Sequence, residues 1–172
     1  GLRVTDNNVP EIQWVMQNAD DYIGSAREQV KPFLLSKYQV TNYHYKLFVE
    51  AEDGAGVDQW WAGQETAKYQ TLAMFAKNKQ AQNLPCAVSW IAANAFCAWL
   101  TVKTGKQISL PKLDELRFAY ALQNTKASLD AVSVQIGNTA EASLQQPIAV
   151  GMYPNNKIPD LPLDLVGNVW EW

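Results

Sequence analysis

Two carboxylates seven residues apart, Asp164 and Glu171, bracket a tight turn holding Gly167 and Asn168 in the segment L-D-L-V-G-N-V-W-E-W (Leu163–Trp172). A hard cation such as Ca²⁺ takes about six to eight oxygens, mixing carboxylates with carbonyls from an irregular turn. Asp164 and Glu171 can supply the side-chain oxygens, and the carbonyls of Gly167 and Val169 the others. On spacing alone, two such carboxylates are most often simply solvated, and Trp170 and Trp172 read more readily as core than as a stacking platform.

Other chemistry is sparse. There is a single histidine, His44, so a nucleophile–base pair would rest on it alone, and the pattern places it on the solvated side of its helix. No G-x-G-x-x-G, no P-loop and no H-E-x-x-H occurs, and no Cys/His cluster suits zinc. Cys86 and Cys97 lack C-x-x-C spacing. Cys97 falls about eight residues into a helix that Ser89 opens, roughly 12 Å along its axis at 1.5 Å per residue. Cys86 precedes that helix and would have to run back along it to form a disulfide. Both read as small apolar packers.

The elements that must position these residues follow from periodicity. Residues 1–27 read as loop and short strand. Val30–Tyr38 reads as a strand, with Pro32 near its start where a missing N–H is tolerated. Thr41 or Asn42 caps a helix with Tyr45, Phe48 and Val49 on one face. Glu52–Gly63 is turn-rich and contains the pair Trp60–Trp61. Thr66–Lys77 reads as a helix facing inward through Tyr69, Leu72 and Phe75. Ser89 opens the most apolar helix, Trp90 to about Val102, apolar almost all round as at a domain centre. Leu110–Pro111 begins another, with Leu113, Leu116 and Tyr120 inward. Gln123–Gln146 reads as polar and irregular, and the remainder as proline-rich loop. The expectation is one α+β domain over 1–172 with few strands and long loops.

Composition bounds the function. The chain has 172 residues, 48% of them hydrophobic, with 14 Lys+Arg against 17 Asp+Glu. A net charge of −3 gives no basic surplus for phosphates, so nucleic acid is not an expected partner. No run of 18 apolar residues is present, so no transmembrane segment is expected.

Four segments in order resemble a known family: Q-V-T-N-Y-H-Y-K-L-F-V (Gln39–Val49), P-C-A-V-S-W-I-A-A-N-A-F-C-A-W-L (Pro85–Leu100), I-S-L-P-K-L-D-E-L-R-F-A-Y-A (Ile108–Ala121) and the Leu163–Trp172 segment. They are similar to the E-V-T-N, V-S-W…Y-C-x-W, R-L-P-T-E-A-E-W and G-N-V-W-E-W motifs of the formylglycine-generating enzyme / sulfatase-modifying-factor family. Tyr22–Phe33 and Pro147–Asn156 are weaker matches. The resemblance implies an irregular, loop-rich fold of the C-type-lectin-like class, often fixed by calcium. It implies a calcium site at Asp164 and Glu171 by side chain and at Gly167 and Val169 by carbonyl. A second family site would fall near Ile136–Glu141, where Asn138 matches but an acidic ligand does not follow.

Departures from the family pattern are specific. Its Arg, Thr, Glu and Trp in the third motif are here Ser109, Lys112, Leu113 and Leu116, and the Glu of E-V-T-N is Gln39. The Lys112 replacement removes a good N-cap, and Ser109 removes a bidentate donor fork. The family pattern continues past G-N-V-W-E-W into R-G-G-S-W and a pair of copper-binding cysteines, so the domain is expected to lack its usual C-terminal part. Cys97 aligns with the ordinary helix cysteine, and copper-dependent oxidation of a substrate cysteine to formylglycine is not expected. The function implied is a non-catalytic binding or scaffolding domain; the alternative is a fragment or subunit of a formylglycine-generating-type oxidase completed by another chain. Apolar surface around Trp90–Leu100 and Trp170–Trp172 is expected to need cover from another protein chain or a copy of this one. A calcium site would favour an extracytoplasmic, periplasmic or secreted location.

Overall fold

Thr41, Ser89 and Gly105 mark where the chain must turn into and out of helices, and the computed structural model places helix boundaries at all three. It describes residues 3–19, 29–77, 81–126, 137–138, 144–153 and 161–172. Among these are four α-helices and one two-stranded sheet, an α+β arrangement. Among the described residues, no helix is long and apolar enough to cross a membrane. The Tyr22–Phe33 match lies largely outside the described residues, as does most of Ile136–Glu141.

The chain forms two compact units, the first comprising Gly1–Glu11, Val40–Leu110 and Trp172. It holds α1 (Asn42–Glu50), α2 (Glu65–Lys77) and α3 (Trp90–Thr104). Before α1 the backbone runs antiparallel to residues 84–86: Cys86 N–H donates to the Val40 carbonyl at 2.8 Å and Asn42 N–H to that of Leu84 at 2.9 Å. Thr41 and Pro85 are the opposed pair between those bonds, a position that asks no N–H of proline. The Thr41 hydroxyl then accepts from His44 N–H at 3.3 Å and caps α1. Ser89 caps α3 the same way through Ala92 N–H at 3.3 Å, and Gly105 ends it in the left-handed region at φ 67°.

Aromatic rings fill the centre of this unit. Phe48, fully buried, lies 5.3 Å from Trp99, 5.5 Å from Tyr45, 5.9 Å from Phe96 and 6.2 Å from Trp61. The polar tips find partners as buried aromatics require: Tyr45 donates to Ala92 O at 3.0 Å and Trp61 to Ala55 O at 2.9 Å. Asp53, in the loop after α1, accepts from Trp99 Nε1 at 3.3 Å and pairs with Lys103.

In this unit three helix faces differ from the periodic reading. The α2 helix buries Lys68 and Thr71, with Leu72 and Phe75 half-buried, while Tyr69 stays exposed. The cause is the Lys68 stem, which packs inward while its ammonium pairs with Asp58. Trp90 and Val102 at the ends of α3 are exposed, so only Ala92, Ala95, Phe96, Trp99 and Leu100 are core. His44 is buried rather than solvated, with neither ring nitrogen hydrogen-bonded among the described residues. Residues 81–82 bond the first turn of α1 through Asn42 and Tyr43. That turn thus has a neighbour that helical periodicity does not reveal.

The second unit, Ile12–Gln39 with Pro111–Glu171, holds β1 (Trp14–Gln17), β2 (Phe33–Ser36) and α4 (Leu113–Lys126). The strands pair antiparallel with Val15 opposite Leu35 and Met16 opposite Leu34. The first pair is buried and the second exposed, the alternation a one-sided sheet demands. The strand is shorter than Val30–Tyr38, and α4 begins at Leu113 and runs past Gln123 to Lys126. Among the described side chains of α4, Ala119 is buried, while Leu113 and Tyr120 are exposed. Lys112 cannot cap with its side chain, yet its own N–H is satisfied by Glu115 Oε2 at 2.7 Å, the reverse half of a capping box.

Burial pushes the His44 imidazole down to about 4. Because the folded state favours the neutral ring, His44 contributes stability above its unfolded value of about 6.5, and the contribution is lost as pH falls from there towards 4. In urea titrations His44→Leu should therefore lose less stability than wild type between pH 7 and pH 4.5; equal losses would contradict this.

A polar cradle around Asp164 and Glu171

The G-N-V-W-E-W turn gets its shape from three residues in the left-handed region: Asp164 (φ 61°), Gly167 (φ 78°) and Asn168 (φ 67°). Asp and Asn tolerate that conformation better than most residues. Before the turn, Leu163 N–H donates to the Lys37 carbonyl at 2.7 Å, just past the end of β2. Leu161, Pro162, Leu163 and Asp164 are all buried. Within it, Gly167 forms a parallel bridge with Asn138, and Asn168 N–H donates to the Asn138 carbonyl at 2.9 Å. Gly137 must be glycine: a Cβ there would sit 1.9 Å from the Val166 carbonyl oxygen.

Asn168 holds the turn by copying a strand. Its Oδ1 accepts from Ile148 N–H at 2.9 Å, and its Nδ2 donates to the Ile148 carbonyl at 3.2 Å. The same Nδ2 donates to Gln39 Oε1 at 3.2 Å. Asn138 Nδ2 reaches the Gln146 carbonyl at 2.8 Å and Asn168 Oδ1 at 3.4 Å.

The two acids meet this network differently, Glu171 by its carboxylate and Asp164 by its backbone carbonyl. Asp164 is only 2% exposed, and its Oδ2 accepts from Gly151 N–H at 2.5 Å. Glu171 is exposed as a residue, but Gln39 Nε2 holds its Oε1 at 2.8 Å and also meets the Asp164 carbonyl at 3.4 Å. Burial raises the Asp164 carboxyl above the usual carboxylate range, opposed by the Gly151 hydrogen bond. Burial likewise raises that of Glu171; the Gln39 bond opposes this and the Asp164 charge adds to it. Among the described residues, neither acid forms an ion pair with Lys or Arg.

The structure thus links the Glu171 carboxylate to the backbone carbonyl of Asp164 through Gln39, and places Gly167 and Val169 within the same turn. The Gly167 carbonyl accepts from Val169 N–H at 3.0 Å. The described residues contain no group of three or more His, Cys, Asp or Glu side chains placed to hold a metal, so any cation here would draw on carbonyls as well as acids. Beside the network, Leu116, Arg117, Tyr120, Leu165 and Glu171 line an open cleft of about 240 Å³. Sequence reasoning missed the roles of Gln39, Asn138, Ile148 and Gly151, and it registered Gln39 only as a lost charge.

The cysteines lie elsewhere, half-buried and unpaired. Burial pushes the Cys86 thiol up to about 12 and that of Cys97 up to about 11, so neither is poised as a thiolate.

Comparison with known families matches residues 9–172 to the sulfatase-modifying factor enzyme 1-like domain. The chain belongs to that family. No curated protein matches it. The motifs shared with the sulfatase-modifying-factor family have distinct structural jobs here. The first supplies Gln39 and the Thr41 cap, the second the Ser89 cap and the α3 core, and the last the cradle itself.

Asn168→Ala should cost about 2–3 kcal/mol in chemical denaturation, since the Ile148 amide and the Gln39 carboxamide would both lose partners. Asn168→Asp should also destabilise, because it removes the Nδ2 donors and adds negative charge beside two acids.

Proposed function

We propose that this chain is a non-catalytic binding or scaffolding domain of the sulfatase-modifying-factor type, whose loops take a C-type-lectin-like form fastened by calcium. The observation that carries the reading is the buried carboxylate of Asp164, which has no cationic partner among the described residues and whose charge acts on the Glu171 carboxyl. A buried carboxylate with one hydrogen bond and no counter-charge is costly, and a bound cation would offset that cost at Asp164.

The donor set suits calcium. It is all oxygen: side-chain oxygens of Asp164 and Glu171 and the carbonyls of Gly167 and Val169, with solvent able to complete the shell as hard cations allow. The hydrogen bonds described above engage one oxygen of each carboxylate, Asp164 Oδ2 and Glu171 Oε1, which leaves the second of each for the ion. Calcium here would supply charge neutralisation and a fixed turn.

The binding role is supported by what the turn displays. Trp170 is fully exposed. In the first unit Trp172 and Trp90 are each more than half exposed, although Trp172 Nε1 is anchored on the Val88 carbonyl at 2.9 Å. Amphipathic aromatics of this kind are favoured anchors for a protein partner. The thiols are held protonated and the histidine is buried, which favours binding over nucleophilic chemistry.

Calcium at 100 times its dissociation constant should stabilise the native state by about 2.7 kcal/mol, several degrees in a thermal melt. Asp164→Asn and Glu171→Gln should abolish that shift, and an unchanged wild-type melt in millimolar calcium would overturn the calcium reading. Trp170→Ala should leave the melt unaltered and weaken capture of a cognate partner.

A further inference from the structure

We infer that Gln39 is the positioning residue of this cation site and sets which ionic charge the site prefers, an inference that rests on the calcium reading above. Gln39 bonds both acidic residues of the proposed site without using the oxygens left for the ion: its Nε2 donates to Glu171 Oε1 at 2.8 Å and to the backbone carbonyl of Asp164 at 3.4 Å. Its orientation is not arbitrary. Asn168 Nδ2 donates to Gln39 Oε1 at 3.2 Å, which fixes the oxygen end of the carboxamide and turns the NH₂ end towards Glu171. Asn168 is in turn held by both backbone groups of Ile148. The chain of amides Ile148, Asn168 and Gln39 therefore holds the Glu171 carboxylate by Oε1 and so aims its second oxygen in advance, and less freedom remains to be lost when an ion arrives.

The same side chain fixes the charge of the site. A neutral carboxamide at position 39 leaves two carboxylates, a formal charge of −2 that balances a divalent ion. A carboxylate at that position would keep the oxygen facing Asn168, lose the donor facing Glu171, and bring a third negative charge against the other two. Such a site would favour a trivalent ion over a divalent one of similar radius, because attraction grows with the product of the charges. Gln39 thus acts on the ion through Glu171 and through the total charge.

The test compares calcium with terbium, whose luminescence Trp170 would sensitise. Wild type, Gln39→Glu, Gln39→Met and Asp164→Asn are titrated with each ion and melted without ions. Gln39→Met should weaken calcium and terbium alike, by roughly tenfold or more, the size expected when a partner that orients a metal ligand is lost. Gln39→Glu should instead raise the preference for terbium over calcium by about tenfold or more relative to wild type, a change that a purely structural role would not produce. Asp164→Asn should bind neither ion.

If wild type binds both ions, Asp164→Asn binds neither, and the Gln39 variants match wild type in affinity and preference, the role of Gln39 is overturned while the calcium reading stands. If wild type binds neither ion, both are overturned. Should Gln39→Met melt too low to titrate, the terbium-to-calcium preference of Gln39→Glu decides alone, and an unchanged preference overturns the inference.

Discussion

A carboxylate removed from water must be met by donors or by positive charge, and the second unit is arranged around meeting that demand at Asp164. One oxygen is answered by the Gly151 amide, and the backbone carbonyl of the same residue by Gln39. Loop segments around residues 39, 138, 148 and 168 meet in one set of side-chain amide contacts. The loops are irregular because their hydrogen bonds run to side-chain amides as much as to each other. That is how a region with little regular structure keeps its backbone groups paired.

The first unit uses a different economy. Its helices contribute an aromatic cluster around Phe48, and the polar tips of Tyr45, Trp61 and Trp99 are satisfied by backbone or by Asp53. Rings supply area and shape, while three hydrogen bonds fix how the rings lie. The two short caps, Thr41 and Ser89, place α1 and α3 so that Phe48 and Phe96 meet.

What could be read in the sequence was what is local. Thr41 and Ser89 announce helix starts because capping acts over three residues, and the Asp164–Glu171 bracket is visible because the turn between them is short. Tyr69 misled because Lys68 counts as polar in any periodic pattern, though its four methylenes pack like an apolar chain. His44 misled because a helix pattern sees one face, and the segment at 81–82 crosses the first turn from another part of the chain. Gln39 was legible only as an altered charge: its partner Glu171 lies 132 residues away, and no spacing rule connects them. The family motifs pointed to the cradle but not to the amide chain inside it.

The pairing of Asn168 with Ile148 has a consequence for which residues each position can accept. At 148 only the backbone N–H and carbonyl are used, so any side chain except proline keeps the contact. At 168 the contact needs a side chain with one acceptor and one donor at that exact reach, on a residue at ease in the left-handed region. Glutamine is a methylene too long, aspartate lacks the donor and serine lacks the span. The two halves of one interaction therefore differ sharply in how much substitution they allow, one nearly open and the other closed to all but asparagine.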